Sequence, residues 1–148
     1  MDTVRLGWTF AVLMEPNRIW GAFMSTIFLK RVYEPYDAID GCRILIDRLW
    51  PRGISKEAAR LSYWFKEIAP SPELRKWFCH KPELFEEFTD KYLKELRTDD
   101  DKQRYIRQIF EIASSERVTL LYGAKDPVNN HAQVLMLELA QLMEEEKR

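Results

Sequence analysis

Cys42-Arg43-Ile44-Leu45-Ile46-Asp47-Arg48-Leu49-Trp50-Pro51-Arg52-Gly53 is the stretch on which the fold turns. Three consecutive aliphatics, Ile44, Leu45 and Ile46, leave no polar alternation. That pattern marks a strand over 42–49 that is buried on both faces and so lies centrally in an α/β sheet. The run stops at Trp50-Pro51-Arg52-Gly53, where proline withdraws a backbone donor and glycine permits the turn. A second run of the same kind, Val118-Thr119-Leu120-Leu121-Tyr122, precedes the loop Gly123 to Val128. Upstream, the β-branched and aromatic stretch from Thr26 to Tyr33 reads as the first strand.

Helical spacing fills the intervals. Ser55 opens a short helix. Ser71-Pro72 has a cap followed by proline at the first helical position, starting a helix to about Phe78. Pro82 opens a longer one to about Arg97, with Phe85, Phe88, Tyr92 and Leu96 on one stripe, and Thr98 to Asp101 caps the next, whose Ile106, Ile109 and Ala113 share a face. Asn129 or Asn130 caps a last helix that turns Ala132, Leu135, Met136, Leu139, Ala140 and Met143 inward. Strand, loop and helix units of this kind predict a single-domain α/β fold with a small, mostly parallel or mixed sheet flanked by helices. The strand count is low, so either part of the sheet is mixed or a strand lies hidden in residues read as loop.

The chain has 148 residues, enough for one core, and 46% hydrophobic residues, too many for general disorder. Lys plus Arg number 23 against 24 Asp plus Glu, for a formal charge of −1, so there is no global basic field and no nucleic-acid partner is expected. Cys42 and Cys79 form no C-x-x-C pair, and both read as reduced thiols. No apolar run approaches the roughly 20 residues of a membrane span, and Leu6 to Met14 lacks a cleavage site, which makes the expected location cytoplasmic. Residues 1–23 keep no period and read as an N-terminal extension, leaving 24–146 as the working domain.

Ligands of open α/β sheets bind outside the carboxyl ends of the strands. Two loops leave such ends here: 47–53 and 122–131. If their strands are parallel neighbours, Arg48, Arg52, Lys125 and His131 converge on one rim, with Trp50 and Tyr122 beside them. Guanidinium forks and an ammonium suit phosphate or carboxylate, and Asn129, Asn130 and the helix start behind them add backbone donors. The expected ligand is a small anionic or phosphorylated molecule. Arg48, Arg52 and Lys125 would stabilise its charge and His131 would move a proton if there is turnover. The rival reading is a non-catalytic regulatory or interaction module, in which the same residues form a structural ion-pair network. Phosphate-loop, dinucleotide and nucleophile-elbow motifs are missing, and Cys79, His80 and His131 do not make a metal-ligand spacing, so no cofactor or metal is expected.

Four segments together resemble the YeaO-like family of uncharacterised proteins: Lys30-Arg31-Val32-Tyr33; Asp47 to Gly53; Trp64 to Ser71 with Leu74-Arg75; and Leu120 to Lys125 with Asn129-Asn130-His131-Ala132. The resemblance covers about residues 27–142 and implies a small single-domain α/β protein with no established reaction. The wider group tends to carry a cysteine where this chain has Tyr122, and Cys-His-Arg where it has Asn130-His131-Ala132. A thiol reaction at that loop is therefore not implied here, because no nucleophile stands there.

Overall fold

The computed structural model describes residues 26–146, so the stretch 1–23 read as an extension lies outside the described residues. Four strands, β1 (Ile27–Arg31), β2 (Cys42–Leu45), β3 (Tyr63–Trp64) and β4 (Val118–Tyr122), form one sheet in the order β1-β4-β2-β3. Every pairing is parallel, with Leu29 and Ile44 flanking Leu120 in register. The two strands picked out by their unbroken apolar runs are the central pair, and every residue of both is buried. The ladder of β2 ends earlier than the 42–49 expectation. Ile46 still donates to the Leu121 carbonyl at 3.0 Å, and beyond it the chain turns away to Asp47. A further strand exists, but it is β3, a two-residue pairing at the sheet edge inside the aromatic segment after Leu61 and not in a stretch read as loop, and the sheet is not mixed among the described residues.

Among the described residues there are five α-helices, four of them opened by a side-chain cap. In α1 (Lys56–Ala59) the Ser55 hydroxyl accepts from the Ala58 N–H at 3.0 Å, and in α2 (Pro72–Phe78) Ser71 does the same for Leu74. The helix expected from Pro82 begins instead as a 3-10 turn over Pro82–Leu84 and becomes α-helical as α3 (Phe85–Thr98). Asp99 caps α4 (Asp100–Ala113) by accepting from the Asp101 and Lys102 amides. Asn130 caps α5 (His131–Glu146), its Oδ1 accepting from the Gln133 N–H at 3.0 Å.

Strand residues alternate between faces. Ile44, Ile46 and Leu120 meet the layer of α2 to α5, where Phe88, Tyr92, Ile109, Leu135 and Leu139 are buried in the same cluster. The other face is thinly covered: Leu45 and Leu121 meet Val32, Trp50 and Trp64 under α1 and the loops. That face also holds a charged knot. Arg43, in the middle of β2 and 2% exposed, donates through Nε and Nη2 to the Ala59 carbonyl and through Nη1 to Asp40, which also receives Lys30 at 2.9 Å. Burial alone would raise the Asp40 carboxyl, but hydrogen bonds from Lys30, Asp37 and Arg43 outweigh it and hold the group below its ordinary value of 3.8. The connection from β1 to β2 closes at Gly41, whose φ of 69° favours glycine.

Candidate functional site

Because all four strands are parallel, their C-terminal ends open on one edge. A cavity of about 670 Å³ sits there. Its walls are the loop after β2 (Asp47 to Pro51), the loop after β4 (Gly123 to Asp126) with the start of α5, and, opposite, Arg75, Phe78 and His80 from α2 and its C-terminal turn. The position follows the rule for open α/β sheets, and the volume is that of a small-molecule site.

At the base, Asp47 joins the two central loops. Its Oδ2 accepts the Gly123 N–H at 2.9 Å, and its Oδ1 lies 3.3 Å from His131 Nε2. That nitrogen is 2.9 Å from the Ile46 carbonyl, which can only accept, so the Nε2 hydrogen is committed to the backbone and Asp47 Oδ1 stays buried without a hydrogen bond. Burial pushes the Asp47 carboxyl above 3.8, against the opposing pull of His131, the Gly123 N–H and His80. Tyr92 meets the His131 ring edge-on at 6.1 Å, and its hydroxyl donates to the Ile68 carbonyl at 2.7 Å. Burial and the nearby Glu95 and Asp47 carboxylates raise that phenol well above 10.0, so Tyr92 holds the imidazole in place and does not ionise.

The sequence candidates divide. Arg48, Trp50, Lys125, Asn130 and His131 line the cavity. Arg48 donates to the carbonyls of Pro70 (3.1 Å) and Ala69 (3.2 Å), strapping the β2 loop to the segment after β3. Among the described residues no carboxylate pairs with it. The Trp50 indole donates to the Ile54 carbonyl at 2.6 Å and packs edge-on against Trp64. Lys125 is exposed at the mouth. Asn130 is buried and donates to the Asp126 carbonyl at 2.7 Å while capping α5.

Arg52, Tyr122 and Asn129 are not in the lining. Arg52 is exposed on its turn, where its carbonyl accepts the Tyr33 hydroxyl at 2.9 Å. Tyr122 ends β4 buried, with burial raising its phenol above 10.0. Asn129 is bound to Asp126, its Nδ2 at 2.9 Å from Oδ2.

Asp47 was not among the sequence candidates, and two residues of the opposite wall were missed as well. Arg75 lies in the wall with its Nε buried and unpartnered, and His80 reaches the cavity because Cys79 and His80 both adopt left-handed backbone, at φ of 48° and 58°. Neither had a strong signal. Arg75 reads as one more charge on a short helix, and a double left-handed turn without glycine is uncommon.

A family model described as the inactive DUF488-N3 subclade matches residues 26–148. Among curated proteins, the uncharacterized protein YeaO of Escherichia coli (strain K12) is 46% identical over 106 residues, covering 72% of this chain and 90% of YeaO. The uncharacterized protein Rv3073c of Mycobacterium tuberculosis (strain ATCC 25618 / H37Rv) is 39% identical over 111 residues, covering 75% of this chain and 91% of that protein. No solved structure matches the chain.

Proposed function

The chain belongs to the inactive DUF488-N3 subclade, which the sequence resemblance to YeaO-like proteins anticipated, and from that premise we propose that it binds a small anionic or phosphorylated ligand beyond β2 and β4 without turning it over. One observation carries the reading: the charge of the cavity is unbalanced. Arg48, Arg75 and Lys125 line it, and among the described residues none of the three is in an ion pair with a carboxylate. The carboxylates of the lining face groups other than these three cations. Asp126 accepts from Val128 and Asn129, and Asp47 is turned to Gly123 and His131. The half-buried guanidinium groups of Arg48 and Arg75 gain from an anionic partner, and that gain falls to the ligand.

Absence of turnover is supported by the family description and by the site itself. Among the described residues the lining holds no serine, threonine or cysteine to act as a nucleophile, and the Nε2 hydrogen of His131 is committed to Ile46. The rival reading, a regulatory or interaction module braced by these residues, has Arg48 in its favour, since that side chain straps two carbonyls. Lys125 and Arg75 are not accounted for in that way.

The test is a thermal-shift panel of phosphates, nucleotides and carboxylates. An anion at about 100 times its Kd adds about 2.7 kcal/mol and raises Tm by roughly 5–10 °C. The shift should shrink in both Arg75→Ala and Lys125→Ala. A full shift in both variants, or none from any anion in the wild type, would refute the assignment.

A further inference from the structure

The proposed anion site takes its charge from three side chains; the rest of the cavity surface bears on what kind of anion fits. Resting on that reading, we infer that the ligand is an organic anion with a planar apolar body, an aryl phosphate or aryl carboxylate, rather than an inorganic ion. The apolar lining open to the cavity is Tyr33 and Leu49, 43% and 59% exposed, with the half-buried Trp50; behind it Phe78 and Phe88 stack on each other with centroids 4.3 Å apart and form a buried wall. Ala69, Pro70 and Pro51, which carry no side-chain polar atom, continue that wall and are buried. Charge is supplied from around this wall by Arg75, Arg48 and Lys125, each from a different segment.

Size gives the same answer. A volume of about 670 Å³ greatly exceeds a tetrahedral oxyanion, which is comparable to a few waters of roughly 30 Å³ each. A bare phosphate would leave Tyr33, Leu49 and Trp50 wetted. A ring attached to the anion displaces that water, and flat aromatic surface is the natural partner of the Tyr33 and Trp50 rings. A neutral ring alone would leave Arg48, Arg75 and Lys125, none of them in an ion pair among the described residues, without an anion. Both halves of the ligand are therefore required, and the discrimination is against ions that lack the ring and rings that lack the charge.

Isothermal titration of the full chain with four probes tests this: phenyl phosphate, benzoate, inorganic phosphate and benzyl alcohol. Burial of one ring predicts that phenyl phosphate binds about tenfold or more tighter than inorganic phosphate. Benzoate should bind measurably and benzyl alcohol not. In Lys125→Gln, an exposed substitution that leaves the core untouched, phenyl phosphate and inorganic phosphate should weaken by the same factor, keeping their ratio. Equal affinity for the two phosphates overturns the aryl inference while the anion site stands. Binding of benzyl alcohol as tight as that of phenyl phosphate, or of no anion at all, overturns the anion site and the inference with it.

Discussion

Replacing Asp40 by asparagine should destabilise the fold by about 3 kcal/mol, because it removes the one anion of a buried cluster and leaves two cations facing each other. Arg43 and Asp40 are 2% and 4% exposed, and Lys30 reaches the same carboxylate at 2.9 and 3.1 Å. Asparagine keeps the volume and can still accept from the Asp37 N–H, so packing is preserved and the loss is electrostatic. On a total stability of about 5–15 kcal/mol this is a large fraction, worth roughly 6–12 °C in Tm. In urea the midpoint should fall by roughly 1–3 M at unchanged slope. The pH dependence has a defined sign. The folded-state carboxyl lies below 3.8, so the cluster's contribution is complete above that value and is lost as pH falls through the folded pKa. Wild type and Asp40→Asn should therefore differ most at neutral pH and converge in acid. A neutral-pH difference under about 1 kcal/mol, or one that stays constant as the solution is acidified below 3.8, would refute the claim that this cluster ties β1, β2 and α1 together.

Other parts of the structure give equally direct expectations. Glu138 is 1% exposed at its side chain and is held by Arg97, which is 52% exposed, so Arg97→Ala strands a buried carboxylate whereas Glu138→Gln leaves a cation within reach of water. Arg97→Ala should cost about 3 kcal/mol or more in urea unfolding and Glu138→Gln clearly less; the reverse order would contradict the burial argument. Burial holds the Asp47 carboxyl above its ordinary value, so its contribution is present below 3.8 and is lost as pH rises through the folded pKa. Asp47→Asn should therefore gain stability relative to wild type between pH 4 and pH 7, and a relative loss over that interval in paired melting curves would show the sign to be wrong. Gly41→Ala would set a Cβ 2.4 Å from the Arg117 carbonyl, which accepts from Cys42 at 2.8 Å, on a backbone with φ of 69°. The cost should be about 2 kcal/mol or more by chemical denaturation, and a neutral substitution would mean that the turn relaxes freely.

The parts of this fold that local chemistry determines could be read from the residues. Ser55, Ser71 and Asp99 cap helices at their predicted places, and β4 spans the five residues of its apolar run. The meeting of the β2 and β4 loops followed from one inference, that two doubly buried parallel strands lie side by side. What escaped is what depends on register and direction. β3 exists only because Tyr63 and Trp64 fall opposite Ile44 and Leu45, and nothing in an aromatic segment with an exposed tyrosine announces that pairing. Arg43 interrupts an apolar run yet is buried, because Asp40 three residues earlier and the distant Lys30 neutralise it. Arg52 is displayed by its turn as expected, but a turn determines exposure rather than aim, and the cavity lies elsewhere. Arg75 enters the site through the docking of α2, which no spacing within that helix encodes.

The measurement closest to the central claim is the Nε–H resonance of Arg75, followed by NMR as phenyl phosphate is added to the full chain. The half-buried Arg75 guanidinium lines the cavity, so its Nε–H resonance should shift strongly and saturably when the group gains an anionic partner, together with the amides of Gly123 and Ala124 in the opposite wall. Saturable shifts confined to other surfaces, with Arg75 unmoved, would contradict the assignment of this cavity as the anion site.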